Sequence, residues 1–130
     1  MARINAGKPT EKELEILRVL WDRGPSTVRE VNDEISRGQA TGYTTTLKLM
    51  QIMTDKGLVA RDQSSRTHVY RTSVTERETQ GLLLRDLADR AFAGSAEKLV
   101  VRALAARTVS AEELAAIRQM LDEIEKGAKK

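Results

Sequence analysis

Apolar residues recur at helical spacing along most of the chain. Leu14, Leu17 and Trp21 fall on one helix face, with Ile16 and Leu20 beside them, the pattern of an amphipathic segment packed on a core. Thr10 and Glu13 stand at the spacing of a capping box that opens this helix. Gly24-Pro25 closes it, because glycine permits a left-handed turn and proline cannot continue the ladder. Residues 1–9 have no periodicity and read as a frayed arm. A second box, Thr27 with Glu30, opens a short helix striped by Val28, Val31 and Ile35, flanked by Arg29, Asn32, Asp33 and Glu34. It stops at Gly38, and Gln39 to Gly42 form a turn. A third helix is predicted from about Tyr43 to Lys56, closed by Gly57. Its start is rich in hydroxyls, at Tyr43, Thr44, Thr45 and Thr46. β-Branched residues are mediocre helix formers, so propensity did not select this run. Leu49, Met50 and Met53 can face the core with Thr46 one turn before, while Thr44, Thr45, Lys48 and Gln51 project elsewhere.

The period then changes. Leu58 to Arg61 and Thr67 to Arg71 read as two strands around the polar turn Asp62 to Arg66, a β-hairpin with a basic tip. Beyond Ser73-Val74 the pattern is helical only, which divides the chain into residues 1–74 and 75–130. Thr75 and Glu78 open a helix over about 76–92 carrying Leu83, Leu84, Leu87, Ala88 and Phe92. Gly94-Ser95 interrupts it, and a short helix over about 96–106 carries Leu99, Val100, Ala103 and Leu104. Ser110 and Glu113 have the spacing of a further capping box and open the last helix, with Leu114, Ile117, Leu121 and Ile124 at spacings of three and four. The tail from Gly127 is expected to be disordered. The expected fold is therefore mostly α with a small β-hairpin: a winged helix-turn-helix followed by an all-helical dimerisation segment.

Composition narrows the chemistry. The 130 residues contain no cysteine and one histidine, which excludes disulfides, zinc-thiolate sites, thiol catalysis and His-pair metal motifs. The acidic residues are dispersed on helix faces, and no glycine-rich phosphate loop or nucleophile–base set is visible, so neither an enzyme nor a cofactor or metal site is expected. His68 reads as a structural strand residue. No apolar run is long enough to span a membrane and no signal peptide is visible, so a soluble cytoplasmic protein is expected. One Trp, two Tyr and one Phe are too few rings for a base-stacking surface.

Charge changes the picture more. Residues 1–74 hold 12 Lys/Arg against 9 Asp/Glu, while residues 75–130 hold 10 of each sign. The basic excess thus lies in the first part, densest at Arg37, Lys48, Lys56, Arg61, Arg66 and Arg71, the footprint of a surface that meets phosphates. In a winged helix-turn-helix the third helix enters the major groove and the hairpin reaches over the flanking backbone. Thr44, Thr45, Lys48 and Gln51 are then the expected base-facing residues, Tyr43 a phosphate contact, and Ser64, Ser65 and Arg66 the backbone contacts of the wing. The leucine stripes beyond residue 75 leave too much apolar surface on about 55 residues folded alone. Burial of Leu83, Leu87, Leu99, Leu104, Leu114, Ile117 and Leu121 against a second copy is expected, so that a homodimer presents two reading helices to a dyad operator in double-stranded DNA. A winged-helix adaptor that binds a protein partner is the alternative reading of the same scaffold.

With these residues in place the chain resembles the penicillinase-repressor family of bacterial transcription repressors, the BlaI/MecI type. The resemblance runs through Pro9 to Leu17, Leu20-Trp21, Thr27 to Val31, Gly42 to Leu47 and Met53 to Val59. It continues through Phe92 to Ser95, Leu99-Val100 and Ser110 to Leu114. It implies a homodimeric repressor of a β-lactam-resistance or related stress operon. In the family, a membrane sensor-protease system triggers proteolytic removal of the repressor at the first short helix of the dimerisation segment. The corresponding positions here are Arg102-Ala103, where some members have Asn-Phe. Two further departures touch the third helix: Thr46 replaces a usual valine, and Ile52 a common basic residue. Relatives that respond to copper carry a cysteine cluster that this chain lacks.

Overall fold

A computed structural model describes residues 8–128. Among these described residues, six α-helices and one two-stranded antiparallel sheet follow in the order α1 (Glu11–Arg23), α2 (Val28–Ile35), α3 (Tyr43–Lys56), β1 (Val59–Asp62), β2 (Val69–Thr72), α4 (Glu76–Ala91), α5 (Ala96–Ala106) and α6 (Ala111–Ala128). The chain divides into two compact units, one up to Asp86 and one from Leu87 on.

The N-terminal unit has one aliphatic core. Ile16, Leu17 and Leu20 of α1 meet Val28, Val31 and Ile35 of α2, Met50 and Met53 of α3, and Leu58, Val59 and Tyr70 of the hairpin. Both expected capping boxes on α1 and α2 are complete: Thr10 and Glu13 satisfy each other's backbone N–H, as do Thr27 and Glu30. Gly24 stops α1 at a φ of 88°, a conformation open to glycine at little cost. The hairpin pairs Val59 with Thr72 and Asp62 with Val69. Ser26, between α1 and α2, adds an isolated bridge to Tyr70: its N–H donates to the Tyr70 carbonyl at 2.9 Å, and its carbonyl accepts from the Tyr70 N–H at 2.8 Å. The wing is thereby tied to the start of the helix-turn-helix. The indole N–H of Trp21 donates to the Val74 carbonyl at 3.1 Å, which fixes the chain just before α4.

Several sequence expectations are corrected here. Of the frayed arm expected over residues 1–9, residues 1–7 lie outside the described residues, whereas Pro9 is buried and Lys8 pairs with Asp86 at 3.0 Å. The tail is not disordered from Gly127: α6 continues through Gly127 to Ala128 because nothing breaks its ladder there. Lys129 and Lys130 lie outside the described residues. Glu13 is the largest surprise. It is only 2% exposed and both carboxylate oxygens accept from Lys56 Nζ at 2.9 Å.

The C-terminal unit is built differently. α4 ends where Ala93 and Gly94 take φ values of 50° and 77°, and the Gly94 N–H closes back on the Ala88 carbonyl at 2.8 Å. Ser95 and Ser110 cap α5 and α6 by accepting from the N–H groups of Lys98 and Glu113. No residue from Leu87 to Gly127 is buried in the single chain.

Candidate nucleic-acid interface

The helix α3 separates its two faces cleanly. Thr46, Met50 and Met53 are buried, and Leu47 and Leu49 pack partly on the core. Tyr43, Thr44, Thr45, Lys48 and Gln51 are all exposed. A spacing of 3.6 residues per turn therefore converts one heavily hydroxylated segment into an inner anchor and an outer polar strip. Thr46 is the exception that proves satisfiable: its buried hydroxyl donates to Asn32 Oδ1 at 2.6 Å, which couples α3 to α2.

The beginning of α3 is open. Gly42 occupies the N-cap position with no side-chain cap, and no acidic residue lies in the first turn. The first amide N–H groups of the helix keep their positive partial charge and have no side-chain acceptor there. Such a terminus suits an oxyanion.

The wing stands beside this terminus. Ser64, Ser65 and Arg66 are exposed at its tip. Ser64 N–H donates to Asp62 Oδ1 at 2.9 Å, and the Ser65 hydroxyl donates to the Thr67 carbonyl at 2.6 Å, so two local turns shape a loop that contains no glycine. The Ser64 amide holds the Asp62 carboxyl below its ordinary value. A cleft of about 260 Å³ separates hairpin from helix, with Tyr43, Arg66, Thr67 and His68 around Val28, Leu47 and Tyr70. The fold thus brings Tyr43 and Arg66, 23 positions apart in sequence, to one opening. His68 is exposed on that opening rather than packed in the strand.

The cationic footprint is narrower than the sequence implies. Lys56 is consumed by Glu13, and Arg37 lies 3.6 Å from Glu34. Arg23 pairs with Glu30 and Glu34 at 3.3 and 3.7 Å. Lys48 and Arg66 make no ion pair among the described residues. Arg29, a flank of the α2 stripe, lies with its guanidinium carbon 5.3 Å from the centre of the Tyr43 ring.

The residues expected at a dimer contact fall into two groups. Leu83, Leu99, Leu104, Leu114 and Ile117 are partly covered within the chain. Leu87 and Leu121 are 49% and 56% exposed, and Ile124 reaches 67%. Arg102 and Ala103 are exposed inside α5, where their backbone is helical. Among the described residues no cluster of three or more metal-ligating side chains occurs, and no helix is long and apolar enough to cross a membrane.

Comparisons with known proteins agree with this geometry. The sequence pattern of the family described as penicillinase repressor matches residues 9–123. The transcriptional regulator BlaI of Mycobacterium tuberculosis is 32% identical over 117 residues, covering 88% of this chain and 83% of that protein. The penicillinase repressor of Bacillus licheniformis is 24% identical over 114 residues, covering 88% and 89%. Among solved structures, a MarR family protein from Bacillus stearothermophilus superposes with a TM-score of 0.51 at 23% identity, covering 94% of this chain and 76% of that one. The hsRosR-S4 complex gives 0.52 at 14% identity, covering 98% and 99%. These two similarities concern the fold alone: six helices and a two-stranded hairpin in winged-helix order.

Proposed function

We propose that this chain, which belongs to the penicillinase-repressor family and is a transcriptional repressor rather than an enzyme, acts in the cytoplasm as a homodimer on a dyad operator. Residues 1–74 form the DNA-binding module and residues 75–130 the dimerisation module. One observation carries the reading: the exposed strip Tyr43, Thr44, Thr45, Lys48 and Gln51 lies on the outer face of a helix whose inner face is locked into the core. Thr methyl groups pack against thymine, Gln51 pairs with adenine through its two-pronged amide, and Lys48 donates to guanine or phosphate. Tyr43, Ser64, Ser65 and Arg66 hold the backbone and set the register.

Exposure supports the dimer. Leu87, Leu121, Ile124 and Met120 are about half or more exposed in a helical unit with no buried residue from Leu87 to Gly127. A second copy that covers these stripes removes the apolar surface from water, at about 25 cal/mol per Å². It also places two α3 helices on half-sites related by two-fold symmetry. Proteolysis at Arg102-Ala103, driven by a membrane sensor-protease system, is the corresponding route of release. It requires local opening of α5, because a helical backbone does not fit a protease cleft.

A salt titration of operator binding tests the DNA reading. Phosphate neutralisation makes the logarithm of the affinity fall linearly with the logarithm of salt concentration. Replacing Lys48 and Arg66 by Glu abolishes binding on this reading. A salt-independent affinity, or binding unaffected by both substitutions, favours the adaptor instead.

A further inference from the structure

We infer that Arg29 is an additional DNA-phosphate ligand, held ready for the backbone by the face of the Tyr43 ring; the inference rests on the DNA-binding reading above. Arg29 is the second residue of α2 and Tyr43 the first of α3. Their 5.3 Å stacking distance lies within the range at which the ring quadrupole attracts a cation. The contact links the two helices at the end where the wing cleft opens, since Tyr43 also lines that cleft.

Its electrostatics distinguish Arg29 from its neighbours. Arg23 and Arg37 are neutralised by Glu30 and Glu34. Arg29 makes no ion pair among the described residues. It also sits in the first turn of α2, where the helix dipole disfavours a cation. The ring attracts the guanidinium but does not cancel its charge. A ring contact does not use up the five N–H donors of a guanidinium, and these match a phosphate two at a time. Stacking restricts the side chain before DNA arrives, which lowers the ordering cost of binding. Arg29 stands on the helix before the reading helix, so the backbone at the groove edge is its target and base edges are left to α3.

The test uses the full chain and fluorescently labelled duplexes, one from a pool selected for binding and one of scrambled sequence, titrated across salt concentrations. Arg29→Gln lowers the slope of log affinity against log salt by about 0.9 for each protomer bound, and weakens both duplexes by the same factor. Tyr43→Phe keeps the ring and therefore the slope, although it loses the hydroxyl contact. Tyr43→Leu lowers the slope, and adding it to Arg29→Gln lowers the slope no further. Both positions are exposed, so the unfolding midpoint followed at Trp21 stays unchanged in all variants. An unaltered slope in Arg29→Gln overturns the inference while leaving the repressor reading in place. So does a loss confined to the selected duplex, which makes Arg29 a base reader, or additive losses from the two substitutions. If the parent chain binds neither duplex, the repressor reading fails and this inference falls with it.

Discussion

Replacing Lys56 with methionine strips the cation from a carboxylate that the fold has already taken out of water. Glu13 is 2% exposed, and Lys56 Nζ lies 2.9 Å from both of its oxygens. Removing one member of a buried pair typically costs about 3–5 kcal/mol, because the remaining charge is left uncompensated. Two features reduce that figure here. The Lys56 side chain is 31% exposed, and Glu13 Oε1 still accepts from the Thr10 N–H at 2.9 Å. A loss of about 2–3 kcal/mol is therefore expected, which lowers the midpoint of a domain this small by about 10 °C or more. The assay is urea or thermal unfolding followed by the fluorescence of Trp21, the sole tryptophan, which is anchored in the N-terminal unit. The double variant Glu13→Gln with Lys56→Met removes both charges but keeps an acceptor for the Thr10 N–H, so it recovers at least half of the loss. A single variant within about 0.5 kcal/mol of the parent, or a double variant as unstable as Lys56→Met, refutes the reasoning.

Other variants probe separate links. Thr46→Val deletes the donor to Asn32 and costs about 1 kcal/mol in urea unfolding; adding Asn32→Ala costs less than its own single effect if the 2.6 Å bond couples the helices. Glu30 is held below the ordinary carboxylate range first by the Thr27 backbone N–H and then by Arg23. Its contribution to stability is thus present above the unfolded carboxylate value and fades as pH falls through the lowered folded value. An NMR titration shows the Glu30 midpoint rising in Arg23→Gln; no movement contradicts the assignment. Leu121→Lys with Ile124→Lys alters side chains already exposed in the protomer, so sedimentation finds a monomer whose Trp21 transition matches that of the parent. A variant that remains dimeric shows that α6 is not the contact.

Local rules read the elements well because their signals are local. Capping boxes at Thr10, Thr27 and Thr75 recur in the structure at the expected positions. The inner residues Thr46, Met50 and Met53 follow from the 3.6-residue period alone. What escaped sequence reasoning depends on which distant residues meet. Glu13 has the spacing of a solvated cap residue, and nothing local shows that Lys56, 43 positions away, completes it. The same pair removes Lys56 from the phosphate-facing surface. The Ser26–Tyr70 bridge and the Arg29–Tyr43 stack are likewise products of packing. A basic residue at the second position of a capped helix, with a tyrosine opening the next, was the available signal for the latter. The helical run through Gly127 escaped because glycine near a chain end reads as a stop, although an exposed helix tolerates it at about 1 kcal/mol.

Sequencing the duplexes that the purified chain retains from a random pool addresses the central claim most directly. Two copies of α3, each offering the same hydroxyl, amide and ammonium groups to the major groove, predict an inverted repeat with half-site centres about 10 bp apart, or a multiple of that. Retention of unrelated sequences, or enrichment of one half-site with no mirrored partner, contradicts it.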